Sequence, residues 1–585
     1  MIKIFKHLQL KEWLLILASL VFIVAQVWLD LKLPDYMSEI TSYVQTEGST
    51  MSQIWEAGGY MLLCALGSLA AAVVVGFFAT RIAASFTARL RSLLFNKVES
   101  FSMAEINRFS TASLITRSTN DITQIQMIVT FGLQVLIKAP ILAVWAIVKI
   151  SGKSWQWTAT TAGAVGALLL FVVIVGLIAL PKFRVIQSLT DNLNRVSREN
   201  LTGLRVVRAY NAEGYQEEKF EDANSILTKT NLFTNRVMAG LMPFMMLIMS
   251  GLSLAVYWIG AYLIDQADMT DKIGLFSDMV VFSSYAIQVV MAFVMMTVVF
   301  IMMPRAVVAA NRINEVLDTE LSITDGSVIN DTPSIEKGNV EFRNVSFKYP
   351  DSSEYVLEDI SFTAKKGETV AFIGATGSGK STLINLIPRF YDATEGEVLV
   401  NGINVKEYNQ TNLHNKLGYV PQRNVLFSGS VTSNVAYGKG NVSEAAVKKA
   451  VAIAQGTDLI EKMDDQYEAH VAQGGSNFSG GQKQRLAIAR AIYRNPEIYI
   501  FDDSFSALDY KTDRVLRAAL KNETSEATNL IVAQRIGTIM DADKIIVLDE
   551  GKMVGCGTHK ELLKTCPVYQ EIAFSQLSKE ELEYA

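Results

Sequence analysis

The sequence predicts two parts joined by a short linker: an α-helical membrane domain of six transmembrane helices with long cytoplasmic extensions, then an α/β domain built on a phosphate-binding loop. Three observations carry this. Six apolar segments long enough to cross a hydrocarbon layer of roughly 30 Å end by Met303. The composition then turns from apolar to polar across about 321–337. Beyond that lies a short apolar strand, a glycine-rich loop, a Lys-Ser pair and a helix, in that order. The expected boundaries are therefore 1–320, 321–337 and 338–585.

The bulk properties agree. The chain has 585 residues, too many for one core, and is 50% hydrophobic with a mean hydropathy of +0.24. That combination suits membrane segments joined to soluble mass. A net charge of −5 gives no support for nucleic acid as the main partner. Cys64, Cys556 and Cys566 have no metal or redox spacing and read as free thiols. The apolar run after Met1–Lys11 carries no small-residue cleavage site, so it reads as the first span.

The spans are expected at about 13–33, 59–80, 128–150, 157–180, 237–263 and 278–303. Leu33–Glu56 carries Asp35, Glu39, Glu47 and Glu56 with no basic residue, and Asp265–Lys272 is also acidic. Arg81–Gln126 carries Arg81, Arg89, Arg91, Lys97, Arg108 and Arg117, and Lys182–Arg236 is rich in both signs. The positive-inside rule then places the N-terminus, 81–126, 182–236 and everything after Arg305 in the cytoplasm of a multi-pass cell-membrane protein, with the small loop at Lys153 a mild exception.

Ser85–Phe95 and Asn192–Phe220 have apolar residues at helical spacing, which predicts spans that run on as helices beyond the bilayer, each pair joined by a short crosswise helix at its tip. Eleven of the 21 methionines fall in the last two spans: Met238, Met242, Met245, Met246, Met249, Met279, Met291, Met295, Met296, Met302 and Met303. Flexible, polarisable Met lines surfaces that accept varied apolar ligands, and it also fills helix interfaces. Lys138, beside Pro140 within the third span, is an intramembrane charge and so a candidate site; extension to the cytoplasmic interface is the competing expectation.

In the second half, Glu368–Ile373 reads as a strand, Gly374, Ala375, Thr376, Gly377, Ser378, Gly379, Lys380, Ser381 and Thr382 as a phosphate-binding loop, and Leu383–Ile387 as a helix. The glycines let backbone N–H groups turn around phosphate oxygens. Lys380 can reach the β- and γ-phosphates and Ser381 can ligate Mg²⁺. Val340–Phe347 and Gly396–Val400 read as strands, Lys483–Tyr493 as a helix, and Ile498–Asp503 as an apolar strand ending in acids. Asp502 there can hold Mg²⁺ through water. A bound nucleoside triphosphate is the expected ligand.

These motifs together resemble the ABC transporter superfamily, specifically an exporter half-transporter with six spans fused to one nucleotide-binding domain. The matches are Tyr349 ahead of the loop, the loop itself, Gln422 in Val420-Pro-Gln422, Phe478-Ser-Gly-Gly-Gln482, Asp502, and Ser506-Ala-Leu-Asp509. Glu199–Arg208 resembles the second intracellular loop of such exporters, and Ala309–Leu317 the stretch leaving the sixth span. The resemblance covers nearly the whole chain. It implies an α/β nucleotide-binding domain with an antiparallel β subdomain, ATP and Mg²⁺ as ligands, Tyr349 stacked on adenine, and Gln422 near the metal and the reaction. It also implies a dimer in which each ATP lies between the loop of one domain and Ser479, Gly480, Gly481 and Gln482 of the other.

The chain departs from the family pattern at three positions. Where the family has a catalytic glutamate after the strand aspartate, this chain has Asp503, one methylene or roughly 1.5 Å shorter. A misplacement of about 1 Å can cost on the order of 10²-fold in rate. Where the family has a histidine near the γ-phosphate, this chain has Gln534, which hydrogen-bonds but cannot move a proton near neutral pH. Gln473 replaces a glutamate ahead of the signature. The expectation is a subunit of an asymmetric heterodimer, with a homodimer as the alternative. Its own ATP site is degenerate and its signature completes the partner's hydrolytic site. The expected activity is multidrug-type export of hydrophobic or amphipathic compounds through the lipid bilayer; the alternative is lipid or lipopeptide export. Absence of a protease-like extension before the first span lowers the peptide option. A non-transporting ATP-binding regulator, or a P-loop enzyme merely tethered to the membrane, is disfavoured by the complete coupling apparatus.

Overall fold

The computed structural model describes residues 2–46, 48–151, 154–329 and 337–577. Glu47, Lys153, residues 330–336 of the expected linker and the terminal 578–585 lie outside the described residues. The chain divides into two compact units: Met1–Glu99 with Ala112–Thr319, and Ser100–Thr111 with Glu320–Ala585.

In chain order the helices of the N-terminal half are α1 (Leu10–Gln45), α2 (Met51–Glu99), α3 (Met103–Phe109), α4 (Thr111–Thr116), α5 (Ile122–Phe131), α6 (Lys138–Ser151), α7 (Trp155–Thr202), α8 (Leu204–Ala209), α9 (Glu213–Ala239), α10 (Leu241–Gln266) and α11 (Met269–Leu317). Among the described residues, six helical stretches are long and apolar enough to cross a membrane. The long helices run far past the apolar windows, as the periodicity of Ser85–Phe95 and Asn192–Phe220 predicts, and α3 and α8 are short helices between them. The third stretch is interrupted by wider π-helical turns at Arg117–Asp121 and Gly132–Leu136.

Inside the first unit, packing is apolar with a few fixed polar links. Buried Trp157 donates from Nε1 to the Val256 carbonyl at 3.1 Å and meets Phe282 at 5.3 Å between ring centroids. Gly260 makes room there: a Cβ would stand 2.3 Å from Met279 Sδ. Met245 and Met279 are buried while Met242 and Met246 lie largely exposed, so the methionine-rich spans divide between interior and surface. Lys138 ends on Asp30 of α1 at 3.1 Å rather than on an interface group, because a carboxylate within reach offsets an intramembrane charge better than apolar neighbours. Lys149 pairs with Asp35 at 2.8 Å.

The second unit holds two principal sheets. The strands are β1 (Val340–Phe347), β2 (Leu357–Ala364), β3 (Thr369–Gly374), β4 (Glu395–Val400), β5 (Ile403–Asn404), β6 (Leu417–Val420), β7 (Gly429–Ser430), β8 (His470–Val471), β9 (Ile498–Asp502), β10 (Thr528–Val532), β11 (Lys544–Asp549) and β12 (Lys552–Gly557). A four-stranded antiparallel sheet runs β2-β1-β4-β5. A six-stranded sheet runs β12-β11-β3-β10-β9-β6, parallel except for β12. β9 is buried along its whole length and β3 along all but its ends, which is why they read as continuous apolar runs. In this order the carboxyl ends of β3, β10, β9 and β6 lie side by side. These are the ends where open α/β sheets bind ligands.

α3 belongs to this second unit. It starts at a capping box in which Ser102 Oγ accepts from the Ala104 amide at 3.1 Å and Glu105 reaches back to the Ser102 amide at 2.7 Å. Glu105 also accepts from the Ser322 amide at 3.1 Å, and Asn107 Nδ2 donates to the Tyr391 hydroxyl at 3.0 Å.

Candidate nucleotide site

Four adjacent strand ends deliver the site. β3 runs into Gly374–Thr382, with a helix from Lys380 to Asn385 behind it. β9 ends on Asp502 with Asp503 next, β10 leads two residues on to Gln534, and β6 leads to Gln422. The loop needs glycine at two turns: Gly377 and Gly379 have φ of +89° and +92°, and a Cβ on Gly379 would stand 2.7 Å from the Leu357 side chain.

Lys380 is buried in the loop, donating to the carbonyls of Gly374 at 2.8 Å and Ala375 at 2.6 Å and to Ser378 Oγ at 3.2 Å. Burial pulls its pKa below the ordinary lysine value, opposed by the nearby charges of Asp503 and Asp502. Ser381 Oγ donates to Asp502 Oδ1 at 2.8 Å. Burial holds the Asp502 carboxyl above the usual carboxylate range, against the Ser381 hydrogen bond, with Asp503 adding to the rise. A hydroxyl and a buried carboxylate this close are hard oxygen donors that fit Mg²⁺.

Asp503 lies just past the end of β9 with φ of +46°, a left-handed conformation that Asp tolerates better than most side chains. It is buried. Its Oδ2 accepts from two amides at once, Gln534 Nε2 at 2.9 Å and Gln422 Nε2 at 3.2 Å. The three residues singled out separately in sequence thus meet at one oxygen. Tyr349 hydrogen-bonds Thr382 Oγ1 through its hydroxyl at 3.0 Å and stands edge-on to Tyr391, 5.2 Å between ring centroids at 89°.

Ser479–Gln482 forms a capping box at the start of the helix Gly480–Arg494, with Ser479 Oγ accepting from the Gln482 amide at 3.3 Å. Ser479 and Gly480 are exposed, and among the described residues no hydrogen bond joins them to the Gly374–Thr382 loop. Gln473 is exposed in the turn ahead of them. Tyr391 is not singled out by sequence, since its partner Asn107 lies in a segment 284 residues away and no local spacing marks it.

A membrane unit of six candidate spans and a P-loop domain carrying these motifs define the class: the chain belongs to the ABC transporter family. The ABC transporter transmembrane region matches residues 15–293 and the ABC transporter domain residues 357–506. An ABC transporter ATP-binding protein of Mycobacterium bovis is 41% identical, over 88% of this chain and 87% of its own. One of Bacillus subtilis is 35% identical over 91% of each. An ATP-dependent lipid A-core flippase of Pseudomonas fluorescens is 32% identical over 83% of this chain and 80% of its own. A bacterial Atm1-family ABC exporter solved with ATP bound superposes with a TM-score of 0.78 and 24% identity, covering 95% of this chain and 97% of the other. The fold is that of an exporter half-transporter, and the chain is a multi-pass membrane protein.

Proposed function

We propose that this chain is one half of an ATP-driven exporter that moves hydrophobic or amphipathic compounds out across the cytoplasmic membrane, and that its own ATP site binds nucleotide but hydrolyses it slowly. The observation that carries the second half is the Asp503 carboxylate held between the Gln534 and Gln422 amides. A general base needs a lone pair aimed at the attacking water. Here the Oδ2 lone pairs already accept two N–H groups, on a side chain one methylene shorter than the family's glutamate. Gln534 supplies an amide where the family has a histidine.

In this reading residues 1–320 form the membrane domain, 321–337 the linker and 338–585 the nucleotide domain, with the N-terminus and nucleotide domain in the cytoplasm. Gly374–Thr382 cradles the phosphates, Lys380 turns from its carbonyl partners to the β- and γ-phosphates, and Tyr349 stacks on adenine. Ser381 and Asp502, with Gln422 nearby, hold Mg²⁺, which when bound neutralises charge on the phosphate oxygens. Ser479–Gln482, with Ser479 and Gly480 exposed in the single chain, faces the ATP of a second half-transporter, a heterodimeric partner bearing the glutamate and histidine that this chain lacks. Closure of the paired nucleotide domains on ATP switches the membrane cavity from inward to outward access.

The test is ATPase activity of the purified chain alone and of the assembled transporter. The expected result is negligible turnover alone and robust turnover with the partner. Substantial activity from the chain alone, abolished by Asp503→Ala, overturns the degenerate-site reading and favours a homodimer. A second reading, lipid export, is favoured by the 32% identical relative that carries the name lipid A-core flippase.

A further inference from the structure

The charges inside the membrane unit are unevenly satisfied. Asp30 uses both carboxylate oxygens: Ser68 of α2 donates to Oδ1, and Lys138 meets Oδ2 at 3.1 Å. Lys138 has three N–H donors. Among the described residues, Asp30 is its one ion-pair partner, and no hydrogen bond to another acceptor accompanies it. Gln134 lies one helical turn earlier in the same stretch, half-buried, its Nε2 3.5 Å from where a Cβ on Gly76 of α2 would stand. It too has no hydrogen-bond partner among the described residues.

The pair is not sealed in the helix bundle. The Lys138 side chain is 19% exposed and the Asp30 side chain 25% exposed. Both lie within helical stretches long and apolar enough to cross the hydrocarbon layer. Open charged groups at that depth do not face acyl chains; they face a bundle interior or a water-filled path. On this face each carboxylate oxygen already has a partner, while the ammonium and a neighbouring amide keep donors to spare. That imbalance selects for an acceptor-rich, negatively charged group.

We propose that Lys138, with Gln134 beside it, forms a subsite for the anionic headgroup of an amphiphilic substrate, with Asp30 as the internal counter-ion that the headgroup competes with. This rests on the reading that the transporter moves amphipathic compounds, and it assigns their charge. The headgroup oxygen approaches the free side of the Lys138 ammonium. The apolar tail lies among the surrounding spans.

The experiment uses the assembled transporter in nanodiscs of zwitterionic lipid. Binding of dodecyl phosphate is measured by calorimetry, with dodecyltrimethylammonium, dodecyl maltoside and inorganic phosphate as parallel arms. Dodecyl phosphate should bind saturably, at least tenfold more weakly to Lys138→Met, within threefold of normal to Lys138→Arg, and several-fold more tightly to Asp30→Asn. The tightening is a readout that a merely structural pair would not give. Because Lys138→Met strands Asp30, the neutral double variant Asp30→Asn/Lys138→Met is measured as well; it should unfold at the normal temperature and still lose the anion. Unchanged dodecyl phosphate binding in either variant lacking Lys138, or weakening by Asp30→Asn, overturns the subsite. Equal binding of inorganic phosphate overturns the amphiphilic character of the ligand. Binding of the cationic or neutral amphiphile alone leaves amphiphile export standing and removes the anion subsite. If no amphiphile binds or stimulates ATP hydrolysis, the export reading itself falls.

Discussion

Gln534 Nε2 donates to Asp503 Oδ2 at 2.9 Å, so the two residues on which the proposed slow hydrolysis rests are in direct contact. Their effects are therefore not independent. The glutamine, with Gln422, occupies one oxygen of the shortened carboxylate, and the carboxylate in turn fixes the glutamine amide. Residues sharing one hydrogen-bond network show non-additive effects. Restoring one without the other should do little. Asp503→Glu alone and Gln534→His alone are each expected to change turnover at this site less than threefold, while the double substitution raises it by on the order of 10²-fold. Single-turnover hydrolysis, with the partner's site blocked by a catalytic substitution there, checks this.

The loop and the signature should separate cleanly by which site they serve. Lys380→Ala is expected to remove nucleotide binding at this chain's loop. Ser479→Ala should leave that binding within twofold and lower steady-state turnover of the assembled transporter by at least tenfold, because Ser479 is exposed and, in the proposed dimer, faces the partner's nucleotide. Filter binding of a labelled ATP analogue, with ATPase assays in parallel, measures both.

Asp502 predicts a pH dependence. Its carboxyl is held above the ordinary carboxylate value by burial, so it takes up a proton at a higher pH than an exposed aspartate. A metal ion must displace that proton. The gain in ATP affinity conferred by Mg²⁺ should therefore be full at pH 8 and shrink on acidification, starting above the usual carboxylate range near about 4. Calorimetric titrations with and without Mg²⁺ across that range test it. Asp502→Asn should abolish the Mg²⁺ gain and its pH dependence together.

The two turn glycines of the loop should differ in the absence of nucleotide. Both have positive φ, so alanine at either carries backbone strain of roughly 1–2 kcal/mol. A Cβ at Gly377 meets open space, whereas one at Gly379 also stands 2.7 Å from Leu357 and 3.0 Å from the Val356 carbonyl. Gly379→Ala should lower the unfolding temperature of the nucleotide-free protein clearly more than Gly377→Ala, as thermal unfolding followed by circular dichroism would show.

Much of this architecture is legible in sequence because its signals are local. The six apolar runs, the strand-loop-helix at Gly374–Thr382 and β9, apolar up to its terminal Asp502, each announce themselves within a few residues, since burial on every side leaves no alternation to decipher. The convergence of Gln422, Asp503 and Gln534 is not local. It follows from the strand order β3-β10-β9-β6, which interleaves segments more than a hundred residues apart and which no window of sequence reveals. The same holds for Lys138: its charge is visible within the span, but Asp30 is 108 positions away, the difference of the two residue numbers, and only the packing of α1 against the third stretch brings them together.

The contact between Asn107 of α3 and Tyr391 supports a last prediction. Tyr391 stands edge-on to Tyr349, which in turn hydrogen-bonds Thr382 at the end of the phosphate loop. A hydrogen bond and an aromatic edge therefore link a helix from the N-terminal half of the sequence to the nucleotide site. Tyr391→Phe keeps the ring contact and removes only the 3.0 Å bond to Asn107. A bond of this kind contributes about 0.5–1.5 kcal/mol. In a double-mutant cycle with Asn107→Ala, measured by chemical unfolding, the coupling should be about 1 kcal/mol, with each single variant costing as much as the double. ATP binding should stay within twofold in Tyr391→Phe. Tyr391→Ala, which also removes the edge contact supporting Tyr349, should weaken ATP binding severalfold. Equal ATP affinity in the phenylalanine and alanine variants would separate the aromatic edge from nucleotide recognition and leave Tyr391 as an anchor for α3 alone.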